Sequence, residues 1–198
     1  RRSSDLEKIK IFYGNNPKTS KDYGRIVNEK QLSRIKGLID EDKVIFGGDY
    51  DVEELYMAPT IMNNVTWEDK VMEEEIFGPV LPVLEYEDLN EVTNKINSRP
   101  KPLALYLFTE SREVEKKVVE NISYGGGCIN DTMTHLASPF LPFGGVGTAG
   151  VGSYHGQRSF ETFSHMKSVL KKSTRFNLRF IFPPYTKKKM SMLRRVMK

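Results

Sequence analysis

Leu103-Ala104-Leu105-Tyr106-Leu107-Phe108 is an unbroken apolar run, and further on Gly125-Gly126-Gly127 leads into Cys128-Ile129-Asn130. Between them Ser111 precedes Val114, Val118 and Val119, a capping residue followed by apolar side chains at helical spacing. The first run predicts a strand covered on both faces, the middle segment a helix, and the last a short strand. Towards the N-terminus, Val80 to Tyr86 is strand-like. Asp88-x-x-Glu91 is a capping-box variant opening a helix with Leu89, Val92 and Ile96 on its apolar face. Pro100 and Pro102 end that helix. Strand, helix, strand, helix, strand at these spacings predicts an α/β fold with a parallel sheet and right-handed crossovers.

Upstream of this block the pattern is less regular. Leu6, Ile9 and Phe12 or Tyr13 recur at helical spacing, with Gly14 as a C-cap. A helix that starts without a cap or lead-in reads as a cut end. Asn15 to Lys18 reads as a loop, and Leu32, Ile35, Leu38 and Ile39 place an apolar stripe on a second helix. Val44-Ile45-Phe46 predicts a short strand before a turn at Gly47-Gly48. Leu55 to Met62 predicts another, with Pro59 marking an edge or an irregularity.

At 198 residues the chain is sized for one or two domains. With 38% hydrophobic and 28% charged residues it carries enough apolar material for a core, which excludes wholesale disorder. No apolar run approaches the roughly 18 residues of a membrane span. The N-terminus has no apolar segment of the secretory type. A single cysteine allows no internal disulfide, and a reducing, cytoplasmic compartment follows as the expectation. The net charge of +4 is unevenly distributed. Residues 167–198 hold 11 Lys/Arg and no acid, leaving 19 Lys/Arg against 26 acids in residues 1–166, a net −7. An acidic body carries a basic tail.

Several motifs bear on chemistry. Gly145-Val146-Gly147-Thr148-Ala149-Gly150 fits the dinucleotide fingerprint, which needs a strand before it and a helix after it. Two prolines at 139 and 142 rule out a central strand, so a glycine-rich surface loop is the better reading. Cys128 lies in an apolar strand-like run and reads as a small packed hydrophobe rather than a nucleophile partnered by His135, His155 or His165. These residues have no zinc-ligand spacing, and no metal site is expected. Ser153 misses the serine-hydrolase elbow by one position. Glu73-Glu74-Glu75-Ile76-Phe77-Gly78-Pro79 admits two readings. It is a solvated charge cluster before a turn, or a carboxylate that accepts sugar hydroxyls beside a ring that packs on the ligand.

Taken together, the motifs resemble one family. Glu74-Glu75-Ile76-Phe77-Gly78-Pro79 is similar to the glutamate-phenylalanine motif of the aldehyde dehydrogenase superfamily. Leu141 to Gly147, then Gly150-x-Gly152-x-Tyr154-His155-Gly156, resembles its class 3 branch. So do Asp22 to Asn28, Lys101 to Tyr106 and Ser159 to His165. The blocks stand in family order across residues 12–170. The resemblance implies a parallel-sheet, three-layer α/β catalytic-domain fold, N-terminally truncated. It divides the chain into a partial catalytic domain (1–158), an oligomerisation strand (159–172, centred on Phe160 to Leu170) and a basic tail (173–198).

The resemblance also implies chemistry: oxidation of aldehydes to carboxylic acids with NAD or NADP, through a cysteine thioester. Glu75 corresponds to the glutamate that bonds the nicotinamide ribose, and Phe77 to the aromatic packing beside it. Phe143 corresponds to the phenylalanine lining the substrate funnel, and Tyr154 and His155 to residues near its entrance. The family's nucleophilic cysteine, general-base glutamate, oxyanion asparagine and cofactor-binding domain would all precede Leu6, so no catalytic residue is assigned within the chain. Cys128 matches another position and does not inherit the nucleophile's role. Ala149 replaces the usual serine of the glycine loop. The implied partners are an aldehyde and a second subunit whose sheet the strand would extend. Lys187-Lys188-Lys189 and Arg194-Arg195, interleaved with Met190, Met192, Leu193, Val196 and Met197, read equally as a solvated tail or as a peripheral contact with intracellular membranes. Nucleic acid is not expected, for want of a recognition motif. The alternative to an enzyme segment is a non-catalytic, dehydrogenase-derived module for dimerisation or membrane-surface contact.

Overall fold

A computed structural model describes residues 2–197, with side chains from Asp5 onward. The chain forms two compact units, Arg1–Lys95 and Ile96–Lys198.

In the first unit, helix α1 (Arg2–Tyr13) ends at Gly14, whose positive φ of 77° lets its amide return to Lys10 O at 2.9 Å. Helix α2 (Glu29–Leu38) is capped by Asn28, whose Oδ1 accepts from Gln31 N at 2.9 Å. Its stripe buries Leu32 and Ile35 as the spacing predicts. Strands β1 (Val44–Phe46), β4 (Thr60–Met62) and β5 (Val80–Pro82) form one sheet in the order β1-β4-β5. β1 runs antiparallel to β4, whereas β4 and β5 are parallel, with Thr60 opposite Val80. Strands β2 (Tyr50–Asp51) and β3 (Tyr56–Met57) make a small antiparallel pair. Ile35, Met57, Met62, Val65, Val71 and Val80 form the core. A fully buried side chain of this size contributes about 1.5–3 kcal/mol.

Three expectations are revised here. The strand expected from Leu55 to Met62 is two strands, broken at Ala58-Pro59 and preceded by Leu55 at positive φ. The strand from Val80 to Tyr86 stops at Pro82, which has no amide proton for a ladder. Val83 N still reaches Met62 O at 2.9 Å. And β5 pairs with β4 rather than continuing into one sheet with the later strands.

Helix α3 (Leu89–Asn97) has Leu89, Val92 and Ile96 half-buried and Thr93 buried. Asp88 Oδ1 accepts from Asn90 N at 2.8 Å. In the second unit, strands β6 (Ala104–Leu107) and β7 (Gly126–Ile129) pair in parallel, with Tyr106 opposite Cys128. Helix α4 (Arg112–Asn121) connects them, and Ser111 Oγ accepts from Val114 N at 3.3 Å. Val118 and Ile122 are buried but Val119 is exposed, because the packed line runs 114–118–122. β6 is half-buried rather than covered on both faces, and among the described residues its ladder is with β7. Short helix α5 (Thr134–Ala137) follows β7, and α6 (Gly156–Thr162) follows the glycine-rich loop. Phe160 to Thr162, expected to open the oligomerisation strand, therefore lie in a helix. Residues 163–170 join no ladder among the described residues. Helix α7 (Lys187–Val196) ends the described chain. No described helix is long and apolar enough to cross a membrane.

Candidate functional site

In the first unit Glu75 and Phe77 are held out by a clamp from α2. Arg34 Nη1 donates to Glu74 Oε1 at 2.7 Å and Glu75 O at 3.3 Å, and Nη2 donates to Ile76 O at 2.6 Å. Nε is fixed by Gln31 Oε1 at 2.8 Å. One guanidinium thus ties down three consecutive residues of the acidic run, a use of its planar fork that a lysine lacks. The run lies over α2, and Glu75 and Phe77 project from it. Phe77 is 78% exposed and sits at φ 47°, the left-handed region that non-glycine residues avoid. Arg25, Asn28, Gln31, Arg34, Glu75 and Phe77 line much of an open hollow of about 590 Å³. The Glu75 carboxylate accepts no hydrogen bond among the described residues, so its lone pairs are available to a hydroxyl donor. An exposed carboxylate beside an exposed ring fits the ribose and nicotinamide end of a dinucleotide.

Tyr23, in the same resembling block as Arg25, donates its hydroxyl to Met57 O at 2.8 Å. Burial pushes its phenol pKa up, so it remains a donor. Arg25 donates to Lys18 O at 2.6 Å and lies over the Tyr56 ring. Lys18 bridges Asp51 at 2.7 Å and Glu54 at 3.1 Å.

The second unit gathers Phe143, Tyr154 and His155. Phe143 and Tyr154 exchange both backbone hydrogen bonds at 2.9 Å, an isolated antiparallel bridge. Their rings meet edge to face at 5.6 Å, while His155 stacks on Phe143 and lies 4.5 Å from Tyr154. His135, which the sequence leaves unassigned, adds a fourth ring 6.1 Å from Phe143 and contacts Tyr106. The glycine-rich loop makes this closeness achievable. A Cβ on Gly144 would run into Gly152 O, and one on Gly145 into Ala149 O. Among the described residues no strand leads directly into the loop, a 3-10 turn, Gly147–Ala149, lies within it, and helix α6 begins only at Gly156, so it packs backbone on backbone as the surface-loop reading has it.

Cys128 differs from expectation. Its side chain is half-buried, with Sγ 3.3 Å from His135 Nδ1 and 3.5 Å from Thr134 Oγ1. It is therefore a polar contact rather than a packed hydrophobe, because α5 turns His135 back onto β7. Among the described residues, no three His, Cys, Asp or Glu groups stand close enough to hold a metal. Glu75 and Phe77 belong to one unit, and Phe143, Tyr154 and His155 to the other. Arg34 escapes sequence reading, whereas His135, which the sequence offers only as a dismissed partner for Cys128, stands beside that cysteine. The only trace of Arg34 is its i, i+3 relation to Gln31 on the polar side of α2.

The fold is that of part of an aldehyde dehydrogenase catalytic domain. The structure superposes on substrate-bound Staphylococcus aureus AldH with a TM-score of 0.88 and 46% identity, covering all of this chain and 43% of that one. The chain belongs to the aldehyde dehydrogenase family, whose model matches residues 4–169. Among curated relatives, 4,4'-diaponeurosporen-aldehyde dehydrogenase of Staphylococcus aureus is 49% identical over 89% of this chain and 39% of its own length. The dimeric NADP-preferring aldehyde dehydrogenase of Rattus norvegicus is 51% identical over 83% and 36%. The chain thus spans under half the length of these two relatives.

Proposed function

We propose that this chain supplies the cofactor-positioning loop and part of the substrate lining of an NAD- or NADP-dependent aldehyde dehydrogenase that oxidises aldehydes to carboxylic acids. The observation that carries the reading is the Arg34 clamp, which displays Glu75 and Phe77. A half-buried clamp that holds a carboxylate and a ring out to solvent serves no packing purpose. Bound NAD or NADP would accept hydride from the aldehyde carbon. Glu75 would accept ribose hydroxyls, and Phe77 would limit the swing of the ring beside them. Phe143, with Tyr154 edge to face and His155 stacked on it, would give a lining suited to medium or long aliphatic or aromatic aldehydes. The family's nucleophile and general base have no counterpart among these residues, so the 198 residues alone would not oxidise aldehydes.

Residues 159–172 present Phe163, Met166, Val169 and Leu170 to solvent, the pattern of a segment that pairs with a second subunit. The rat relative's name describes it as dimeric. The reading extends to peripheral contact of a cytoplasmic enzyme with intracellular membranes through residues 173–198.

Glu75→Gln in the complete enzyme tests the assignment. Rapid-mixing measurement of hydride transfer should show a loss of about ten- to a hundredfold, with a much smaller change in aldehyde KM, because the carboxylate orients cofactor rather than substrate. Unchanged turnover with both NAD and NADP would remove Glu75 from the site.

A further inference from the structure

Helix α7 (Lys187–Val196) is capped by Thr186, whose Oγ1 accepts from Lys189 N at 3.4 Å. Lys189 and Leu193, one turn apart, are half-buried, and Lys189 Nζ donates to Phe182 O at 3.0 Å. That line of the helix packs on the turn Arg179–Ile181. The opposite line carries Lys187, Ser191, Arg194 and Arg195 at i, i+4, i+7 and i+8, all exposed. With Tyr185 and Met190 they line an open hollow of about 590 Å³. Residues 167–198 contain no acid, and among the described residues none of these three cations forms a salt bridge. Met190 and Met192 flank the stripe on its two sides and are exposed, whereas Val196 follows Lys189 and Leu193 along the packed line.

We propose that this stripe docks on an anionic phospholipid surface, with headgroup phosphates taken between Lys187, Arg194 and Arg195, and with Met190 and Met192 at its flanks entering the interface. Guanidinium forks match phosphate oxygens in pairs, and an interfacial helix gains from its apolar flank and from charge attraction together. A nucleic acid would engage the same cations but leave Met190 and Met192 in water, which is why the lipid surface is favoured. The inference rests on the membrane-contact reading but not on the aldehyde chemistry, and it is tested without any activity readout.

The test is co-sedimentation of the chain with vesicles of phosphatidylcholine alone and with vesicles enriched in phosphatidylglycerol. Binding should require phosphatidylglycerol and fade as salt shortens the screening length. The K187E/R194E/R195E variant should bind at least about tenfold more weakly. A variant with the same charge change elsewhere, K8E/K10E/K116E, should stay close to the parent. Because charge reversal could unwind α7, M190S/M192S is the second arm. It keeps every charge and should also weaken vesicle binding, while leaving any binding to a single-stranded oligonucleotide unchanged. Equal binding to both vesicle types, equal loss in the two charge variants, or tighter binding to the oligonucleotide than to the anionic vesicles would each overturn the proposal.

Discussion

Arg34 is the residue on which the candidate cofactor loop depends. Its three donor contacts to Glu74, Glu75 and Ile76 come from one rigid group, and Gln31 fixes the fourth direction. Arg34→Lys keeps the charge but can satisfy only part of this set. In the complete enzyme it should lower hydride transfer by roughly tenfold or more, since a displacement of about 1 Å at a positioned group can cost a hundredfold. The fold should survive, because Leu32 and Ile35 on the other side of α2 are untouched. An R34K enzyme with parental transfer rates would mean that the loop holds its shape without the clamp. The sequence displays the two residues being held, Glu75 and Phe77, because their motif is local. It does not display the residue that holds them, because Arg34 stands 40 positions before Glu74 and looks like any solvent-facing arginine on an amphipathic helix.

Elements of the first unit are joined by a tie between the entry to β1 and the turn that follows Asp69. Lys43 Nζ meets Asp69 Oδ2 at 2.6 Å, and the same oxygen accepts from Thr66 N at 2.7 Å. The lysine hydrogen bond first, and the Thr66 amide second, hold the Asp69 carboxyl below its ordinary value of 3.8. A carboxyl depressed in the folded state binds protons less readily there than in the unfolded chain. Its contribution to stability is therefore complete above the ordinary value and is lost as pH falls through the lower folded value. Urea unfolding across the acid range should show Asp69→Asn less stable than the parent near neutral pH, with the gap closing below pH 3.8. A gap of constant size would assign the stabilisation to packing instead. Element existence was largely legible from periodicity, as α2 and α4 illustrate with Leu32, Ile35 and Val118. Strand partners were not, since alternation marks Val80 to Pro82 as a strand without revealing that β4 is its neighbour. Strand ends were misread where one residue breaks a ladder, as Pro59 and Pro82 do.

For the molecule as a whole, exposed apolar side chains concentrate after residue 159. Phe160, Phe163, Met166, Val169 and Leu170 are all at least 74% exposed, and residues 163–170 satisfy no ladder in the single chain. Exposed patches and unpaired backbone both promote self-association. Sedimentation of the 198-residue chain should therefore give a dimer or larger species at micromolar concentration, and replacing Phe163 and Leu170 by serine should shift it towards monomer. A monodisperse monomer with a sharp melt would rule out this segment as a subunit contact. At Phe77 the interests of the whole molecule and of the displayed loop are opposed. The ring buries little, and its backbone conformation would be relieved by glycine at a gain of about 1 kcal/mol. Selection for thermal robustness alone would erase the aromatic there. A library screened only for heat resistance should drift to glycine at position 77, and one screened for turnover should not, so the two histories of the protein would be readable from a single codon.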